Sequence, residues 1–478
     1  MIALSKRLAH WCGAVALLLS VSACSLAPTY NTPPLGTAVP AEFKQDGPWR
    51  PTAGQVQYRA DWWVVFDDPV LAQLEEQLTQ NNPGIAIAQA QYRSARAALD
   101  GARASLFPTL NGNLGATRSR NGNTGNSTVI QSPVTNLYTL SAQAAWEVDV
   151  WGKLSNGVDA ADARAQSAAA LVGSARVSAQ ALLAQSYFLW RASMEQEALL
   201  QRSVAAYTRF RSLTQNRLNA GVASKLDLAQ ADTVLNNTRT QLSEATLSRV
   251  QTENAIAVLL GMAPAALALN PSGGWSIEQA AIPATPDLLP SELLLSRFDV
   301  YSAERQVAAA NAQIGVARAA YFPSLNLSAS TGFRSNSWTN LTASPARFWS
   351  VGPALALNLF DAGARSAQVE QARAAYDQTA ATYRQTVLSA FQEVEDNLAA
   401  IRYLAEERAS QMQALQSARL AREVAENQYK AGTADALTVI SAQVAELNAE
   451  TARINLWNRS VAAVVQLLKN TGGRAAGR

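Results

Sequence analysis

The chain has 478 residues, 48% hydrophobic and only 16% charged, with a formal net charge of +3. Its single histidine, His10, and both cysteines, Cys12 and Cys24, lie at the extreme N-terminus, so removal of residues 1–23 as a leader leaves no histidine and only Cys24. That excludes imidazole catalysis, disulfides and His/Cys metal sites, and a balance of +1 without Lys6 and Arg7 offers no large single-signed field to attract nucleic acid.

Lys6 and Arg7 precede an apolar run from Leu8 to Ser20, which is followed by Val21-Ser22-Ala23-Cys24. This order predicts a bacterial secretory signal, because about 13 apolar residues cannot span a bilayer. The last four residues match a lipobox position by position, which predicts a covalent lipid on Cys24 as the new N-terminus; a plain cleavage site is the alternative. Residues 24–61 read as an extended segment. No later run of about 18 apolar residues occurs, so any crossing of a membrane falls to strands.

An internal duplication organises the remainder. Ala102-Arg103-Ala104-Ser105-Leu106-Phe107-Pro108-Thr109-Leu110-Asn111 reappears as Ala317-Arg318-Ala319-Ala320-Tyr321-Phe322-Pro323-Ser324-Leu325-Asn326, and Trp151 with Phe360, Arg164 with Arg373, and Ala220-Gly221 with Ala431-Gly432 keep the same order. Two copies of one supersecondary unit account for this. The first repeat is 62–261 and the second 299–470, joined by an equatorial linker 262–298 and followed by a tail 471–478.

Each copy reads as short helix, strand, loop, strand, long helix, Ala-Gly turn and medium helix. In the first, a short helix from Gly84 to Leu106 leads through Pro108 to strands at about 109–118 and 136–151. A long helix 155–217, a turn 218–224 and a helix from Ser224 to Leu260 follow. In the second, Val300 to Tyr321 leads through Pro323 to strands at about 324–334 and 348–360, then a long helix 363–430, a turn 431–434 and a helix from Asp435 to Leu468.

At 1.5 Å per residue the long helices extend roughly 95 to 100 Å, more than a compact domain needs. The short and medium helices together match the long one, which predicts that they stack end to end and pack antiparallel to it. Residues 62–82, the linker and the C-terminus would form a girdle at the join. Along the second long helix Val369, Ala372, Tyr376, Ala380, Tyr383, Val387, Phe391, Val394, Leu398 and Ile401 recur at steps of three and four, a coiled-coil-like seam. A simple two-stranded coiled coil is the alternative, and the strands argue against it.

From Tyr138 the even positions are Tyr138, Leu140, Ala142, Ala144, Trp146, Val148 and Val150, while Thr139, Ser141, Gln143, Glu147 and Asp149 take most odd ones. Trp349, Val351, Leu355, Leu357 and Leu359 alternate with Ser350, Gly352 and Asn358, and Leu110, Leu114 and Ala116, like Leu325, Leu327, Ala329, Thr331 and Phe333, do the same. Period-two patterning of this length suits either a half-buried soluble sheet or a membrane barrel strand with one lipid face and one wet face. In lipid an open sheet edge leaves backbone groups unsatisfied. Four strands cannot close, and small membrane barrels start at about eight, so the barrel must be shared. Eight strands fill their interior with side chains, so a conduit favours three or more protomers.

With Cys24-Ser25-Leu26, Pro28 and Tyr30 after the lipobox, Trp62-Trp63 with Phe66, Asp68-Pro69 and Leu71, the duplicated Phe-Pro and the Ala-Gly turns, the mature chain resembles the outer-membrane factor (TolC-like) family, in its lipoprotein branch serving resistance-nodulation-division efflux systems. The fold class implied is an α+β membrane protein, with a long antiparallel α-helical barrel and a transmembrane β-barrel of four strands per chain, closed as a homotrimer. By the same resemblance Ser25 after the lipidated cysteine directs the chain to the outer membrane. An inner-membrane pump and a periplasmic adaptor would dock at a tip formed by Arg217, Asn219, Ala220, Gly221, Val222, Ser224 and Asp227 with Tyr429, Lys430, Gly432 and Thr433. Without a partner these are helix-hairpin turns. Family members often place aspartates where this chain has Thr438 and Ser441, so no carboxylate ring is expected from the second turn; Asp227 could supply one from the first. Arg297-Phe298-Asp299 departs from the family's Arg-Pro-Asp, with little effect expected beyond that helix start.

These features point to a passive exit duct in the outer membrane with no cofactor beyond the lipid. The alternatives are a duct serving a type I protein-secretion or metal-efflux system, and a structural lipoprotein that tethers envelope layers without conducting. The scarcity of methionine and the loss of all histidine in the mature chain disfavour a metal relay, and no nucleophile-base pair supports an enzyme.

Overall fold

The computed structural model describes residues 26–36, 43–44, 61–120, 133–269, 277, 282–283 and 297–472. The leader, Cys24, most of the linker 262–298 and most of the first inter-strand loop lie outside these residues. In chain order the principal elements are α1 (Pro69–Asn81), α2 (Pro83–Ala104), β1 (Thr109–Ser119), β2 (Thr135–Val148), α3 (Lys153–Asn219), α4 (Lys225–Leu259), α5 (Phe298–Ala319), β3 (Ser324–Ser335), β4 (Arg347–Ala356), α6 (Ala364–Lys430) and α7 (Ala436–Asn470).

The second strand of each pair ends earlier than the alternation suggests, at Val148 and Ala356 rather than 151 and 360. The residues beyond start the long helices instead. Asp149 accepts from the backbone N–H of Leu154 at 3.0 Å and of Ser155 at 2.7 Å. Asp361 accepts from Gly363 at 3.1 Å and Arg365 at 3.2 Å, while Gly152, Ala362 and Gly363 turn through positive φ. A carboxylate placed over the otherwise orphaned first N–H groups of a helix fixes its start, so apolar residues such as Leu357 and Leu359 fall outside the ladder.

The chain divides into two compact units, Met1–Pro34 with Gln91–Ala168 and Ser302–Tyr383, and Leu35–Ala90 with Ala169–Tyr301 and Arg384–Arg478. Each unit therefore draws on both sequence repeats. The first unit holds one four-stranded sheet in the order β1-β2-β3-β4, antiparallel throughout. Within it α2 packs on α3 through Leu99, Ala161 and Ala165, and the Ser167 and Ser302 hydroxyls bond α3 to α5 at 2.8 Å. The N-terminal segment runs antiparallel along α5: Tyr30 donates to Glu304, Asn311 Nδ2 to the Pro28 carbonyl at 2.7 Å, and Arg318 Nη1 to the Leu26 carbonyl at 3.3 Å. Leu26 thus lies at the end of α5 that leads into β3.

The second unit is built around an aromatic core. Asp68 caps α1, its Oδ1 accepting from Val70 and Leu71, and the buried stripe Leu71, Leu74, Glu75 and Leu78 follows the helical repeat. That stripe joins Trp62, Trp63, Tyr187, Phe188, Trp190 and Trp457. Tyr187 donates to Asp68 Oδ2 at 2.7 Å and receives Arg191 Nε at 2.8 Å, so the phenol, this carboxylate and this guanidinium satisfy one another. Burial foremost, with the Asp68 carboxylate second, raises the pKa of the Tyr187 phenol well above its ordinary value.

The short and medium helices meet end to end here, by different chemistry in each repeat. In the first, Asn82 Nδ2 donates to the Leu259 carbonyl at the end of α4 at 2.7 Å while its Oδ1 accepts from Ile85 at 3.0 Å. In the second, Arg297 bonds Asp299 of α5, Glu393 of α6 at 2.9 Å and the Asn470 carbonyl ending α7 at 3.4 Å. Arg297 and Asp299, which make these contacts, keep the Arg-Pro-Asp pattern, and the residue that departs from it is Phe298. The Phe298 ring also lies where a β-carbon on Gly173 would come within 2.8 Å of it.

The expected seam on α6 is buried at Val369, Ala372, Ala380, Tyr383, Val387, Val394 and Leu398. α3 contains one window of mean hydropathy 1.2, of which 39% is buried.

Candidate functional site: a two-faced sheet and paired hairpin turns

Register sorts the four strands into two unlike faces. One carries the rows Leu110–Ala144–Ala329–Val351, Leu114–Leu140–Phe333 and Val148–Leu325–Leu355, with Trp146, Leu327 and Trp349 between them. The other carries Asn111–Gln143–Ser330–Ser350, Asn113–Ser141–Gly332 and Thr139–Arg334, with Asn326 and Ser328. The apolar face is not covered: Leu110 is 76% exposed, Trp349 72% and Leu355 69%. An apolar surface of that continuity belongs in lipid or against a partner.

Aromatic side chains mark both ends of the sheet. Trp151 stacks on Phe322 with centroids 4.8 Å apart and donates its indole N–H to the Pro323 carbonyl at 2.8 Å, and Trp146 donates to the Leu106 carbonyl at 2.9 Å. At the loop end Tyr138 meets Trp338 edge to face at 5.6 Å. Rings with one polar handle suit the boundary between hydrocarbon and water. Pro108 and Pro323 each immediately precede a first strand residue, Thr109 and Ser324. The outer edges of β1 and β4 have no strand partner among the described residues.

The two hairpin turns are built alike. At the end of α3, Val222 N–H bonds the Arg217 carbonyl at 2.9 Å and Ala220 the Asn216 carbonyl at 3.0 Å; at the end of α6, Thr433 bonds Gln428 at 2.9 Å and Ala431 bonds Asn427 at 3.0 Å. Gly221 and Gly432 sit at φ 75° and 79°, as this helix stop requires. Ser224 and Asp227 then form a reciprocal capping box that starts α4. Asp435 starts α7, accepting from Thr438 N–H at 2.8 Å and from its hydroxyl, and those bonds hold the Asp435 carboxyl below its ordinary pKa.

Arg217 ties one turn to the other. Its guanidinium carbon lies 4.4 Å from the Tyr429 ring centroid and its Nη1 donates to the Tyr429 carbonyl at 3.1 Å. Val222, Lys430, Gly432 and Ser441 are exposed, and Asn219 accepts from Gln215 at 3.0 Å. Asp227 Oδ2 accepts from the Ser224 N–H at 2.7 Å and from the Ser224 hydroxyl at 2.9 Å, both within the capping box. No group of residues able to hold a metal ion occurs among the described residues.

Sequence reasoning passed over Glu75 and the Arg334–Phe348 pair and made little of Arg297. Glu75 follows the helical stripe of Leu71 and Leu78, which was readable; beyond the neighbouring Asp299, the partners of Arg297 come from two distant stretches of chain, which were not.

A sheet with one apolar face and open edges, in a chain whose very long helices reverse at paired glycine turns, defines a channel-type outer-membrane protein. The chain matches the outer membrane efflux protein family over residues 74–262 and 289–473. It is 30% identical over 461 residues to the solvent efflux pump outer membrane protein SrpC of Pseudomonas putida, covering 95% of this chain and 96% of that one. It is also 30% identical over 474 residues to the outer membrane protein OprJ of Pseudomonas aeruginosa, covering 98% and 96%. The solved outer-membrane channel OprN superposes with a TM-score of 0.83 at 30% identity, covering 94% of this chain and 99% of that one. The chain belongs to the outer membrane efflux protein family. It has the TolC-like fold, resides in the outer membrane and is the channel component of an efflux pump, not an enzyme.

Proposed function

We propose that three copies of this chain close a 12-stranded barrel, β4 of each pairing with β1 of the next, and that the resulting duct passively conducts small molecules out of the cell. The observation that carries this reading is the sheet itself: a lipid-compatible face, a hydrophilic face, and two edges whose N–H and C=O groups lipid cannot satisfy. A periplasmic adaptor and an inner-membrane resistance-nodulation-division pump supply the energised steps. Their docking site is the turn pair containing Arg217, Asn219, Ala220, Gly221, Val222, Ser224, Asp227, Tyr429, Lys430, Gly432, Thr433, Thr438 and Ser441. Toluene, solvents and antibiotics appear in relatives' names, which supports apolar organic solvents and drugs as cargo.

Cys24 carries a lipid anchor in this reading. The bonds that lay residues 26–30 along α5 bring Leu26 towards the β3 end of that helix, which supports an anchor near the start of the mature chain on the sheet side of that helix. Single-channel recording of the purified protein in planar bilayers tests the duct: discrete currents are expected, and their absence at every voltage favours the non-conducting tether.

A further inference from the structure

The hydrophilic face of the sheet is almost free of charge. Of the strand side chains that register assigns to it, only Glu147 and Arg334 are ionised. Glu147 stands at the helix end and pairs with Lys153 Nζ at 2.9 Å, which neutralises it locally. Arg334 stands near the loop end, opposite Thr139, exposed to solvent. Its guanidinium carbon lies 5.0 Å from the centroid of Phe348, a ring placed on this same face by the pairing of Phe348 with Gly332. The surrounding rows hold Ser, Thr, Asn, Gln and Gly, and no carboxylate from the strands stands near it to balance the charge. Two other arginines of the sheet, Arg118 and Arg347, fall on the apolar face, in the rows of Asn136 and Phe333.

We propose that Arg334, laid against Phe348, is the charge-selecting residue of the β-barrel, giving it a preference for anions over cations. The inference rests on the closed-barrel reading, which turns this face inward and repeats Arg334 in each protomer. A guanidinium stays charged at every working pH. Resting on an aromatic face costs it little hydration and keeps it from folding back on the wall. A ring of such charges raises the local anion concentration within about a Debye length, roughly 8 Å at physiological salt, so its influence grows as salt is lowered.

Reversal potentials under a potassium chloride gradient, on protein reconstituted in planar bilayers, test this. Arg334→Gln is expected to lower the anion-to-cation permeability ratio about twofold at low salt, Arg334→Glu to lower it further, and Arg334→Lys to preserve it. Arg347→Gln removes the same charge from the same end of the sheet but from the opposite face, and is expected to leave the ratio unchanged. Conducting Arg334→Gln channels with the wild-type ratio, or an equal shift in Arg347→Gln, would overturn the assignment. Wild-type protein that passes no current would instead overturn the duct reading beneath it.

Discussion

Arg217 at the end of one long helix lies over the ring of Tyr429 at the end of the other, and the same guanidinium donates to the Tyr429 backbone carbonyl. Phe210 packs against that tyrosine ring from a second direction, at 5.4 Å. One side chain therefore fastens two turns that the sequence separates by more than two hundred residues. A cation over an aromatic ring and one charge-assisted hydrogen bond are together worth about 2 kcal/mol. Arg217→Ala is expected to shift the balance between packed and parted turns about thirtyfold towards the parted state. The measurement is mean open time in bilayers, longer in the variant than in wild type. Arg217→Lys, which loses the planar overlap on the ring, is expected to fall between the two.

Gly221 and Gly432 separate the cost of folding from the cost of docking. No atom lies within 4 Å of where a β-carbon would stand at either residue, so a larger side chain meets only the left-handed backbone penalty of about 1–2 kcal/mol. Replacement of either by leucine is expected to leave assembly in detergent intact while abolishing drug export in cells. Wild-type resistance in such variants would remove the turns from the docking surface.

Gly173 and Phe298 form a pair whose substitutions do not add. An alanine at 173 in the wild-type chain runs into the Phe298 ring and is expected to lower thermal stability. In a Phe298→Ala background the clash with that ring is gone, and the ordinary gain of about 0.5–1 kcal/mol for alanine over glycine within a helix is expected to emerge. The measurement is melting temperature across the four-member cycle, with a reversal of sign as the expected signature.

Glu75 makes stability depend on pH in an unusual direction. Both carboxylate oxygens are buried without a hydrogen-bond partner, and desolvation raises the carboxyl pKa well above its ordinary value. The folded protein therefore retains a proton that the unfolded chain releases near pH 4.3. Above that value the folded state binds more protons than the unfolded one, so stability falls as pH rises towards the folded pKa. Glu75→Gln is expected to flatten the loss of melting temperature between about pH 5 and pH 8, with its advantage over wild type larger at the upper end.

The alternation of the strands was legible because a sheet with one face in lipid must repeat every second residue, and Leu110, Trp146, Leu327 and Val351 do fall on one face. Periodicity could not say that β2 of the first repeat pairs with β3 of the second, since that is a contact between distant stretches. Nor could it place the strand ends, where Asp149 and Asp361 turn their carboxylates to the helices that follow. The glycine turns were legible because a left-handed stop between two helical patterns favours that residue. Glu75 was overlooked because its type argues for water while its position argues for the core. Arg297 was underestimated because its worth depends on Asn470 and Glu393, which only the folded chain brings to it.

The account stands on a sheet whose two free edges are completed by sister chains. Native mass measurement of the mature protein extracted in detergent tests this most directly. A particle containing three chains is the expected result; a stable single-chain particle, soluble once the detergent is withdrawn, would contradict it.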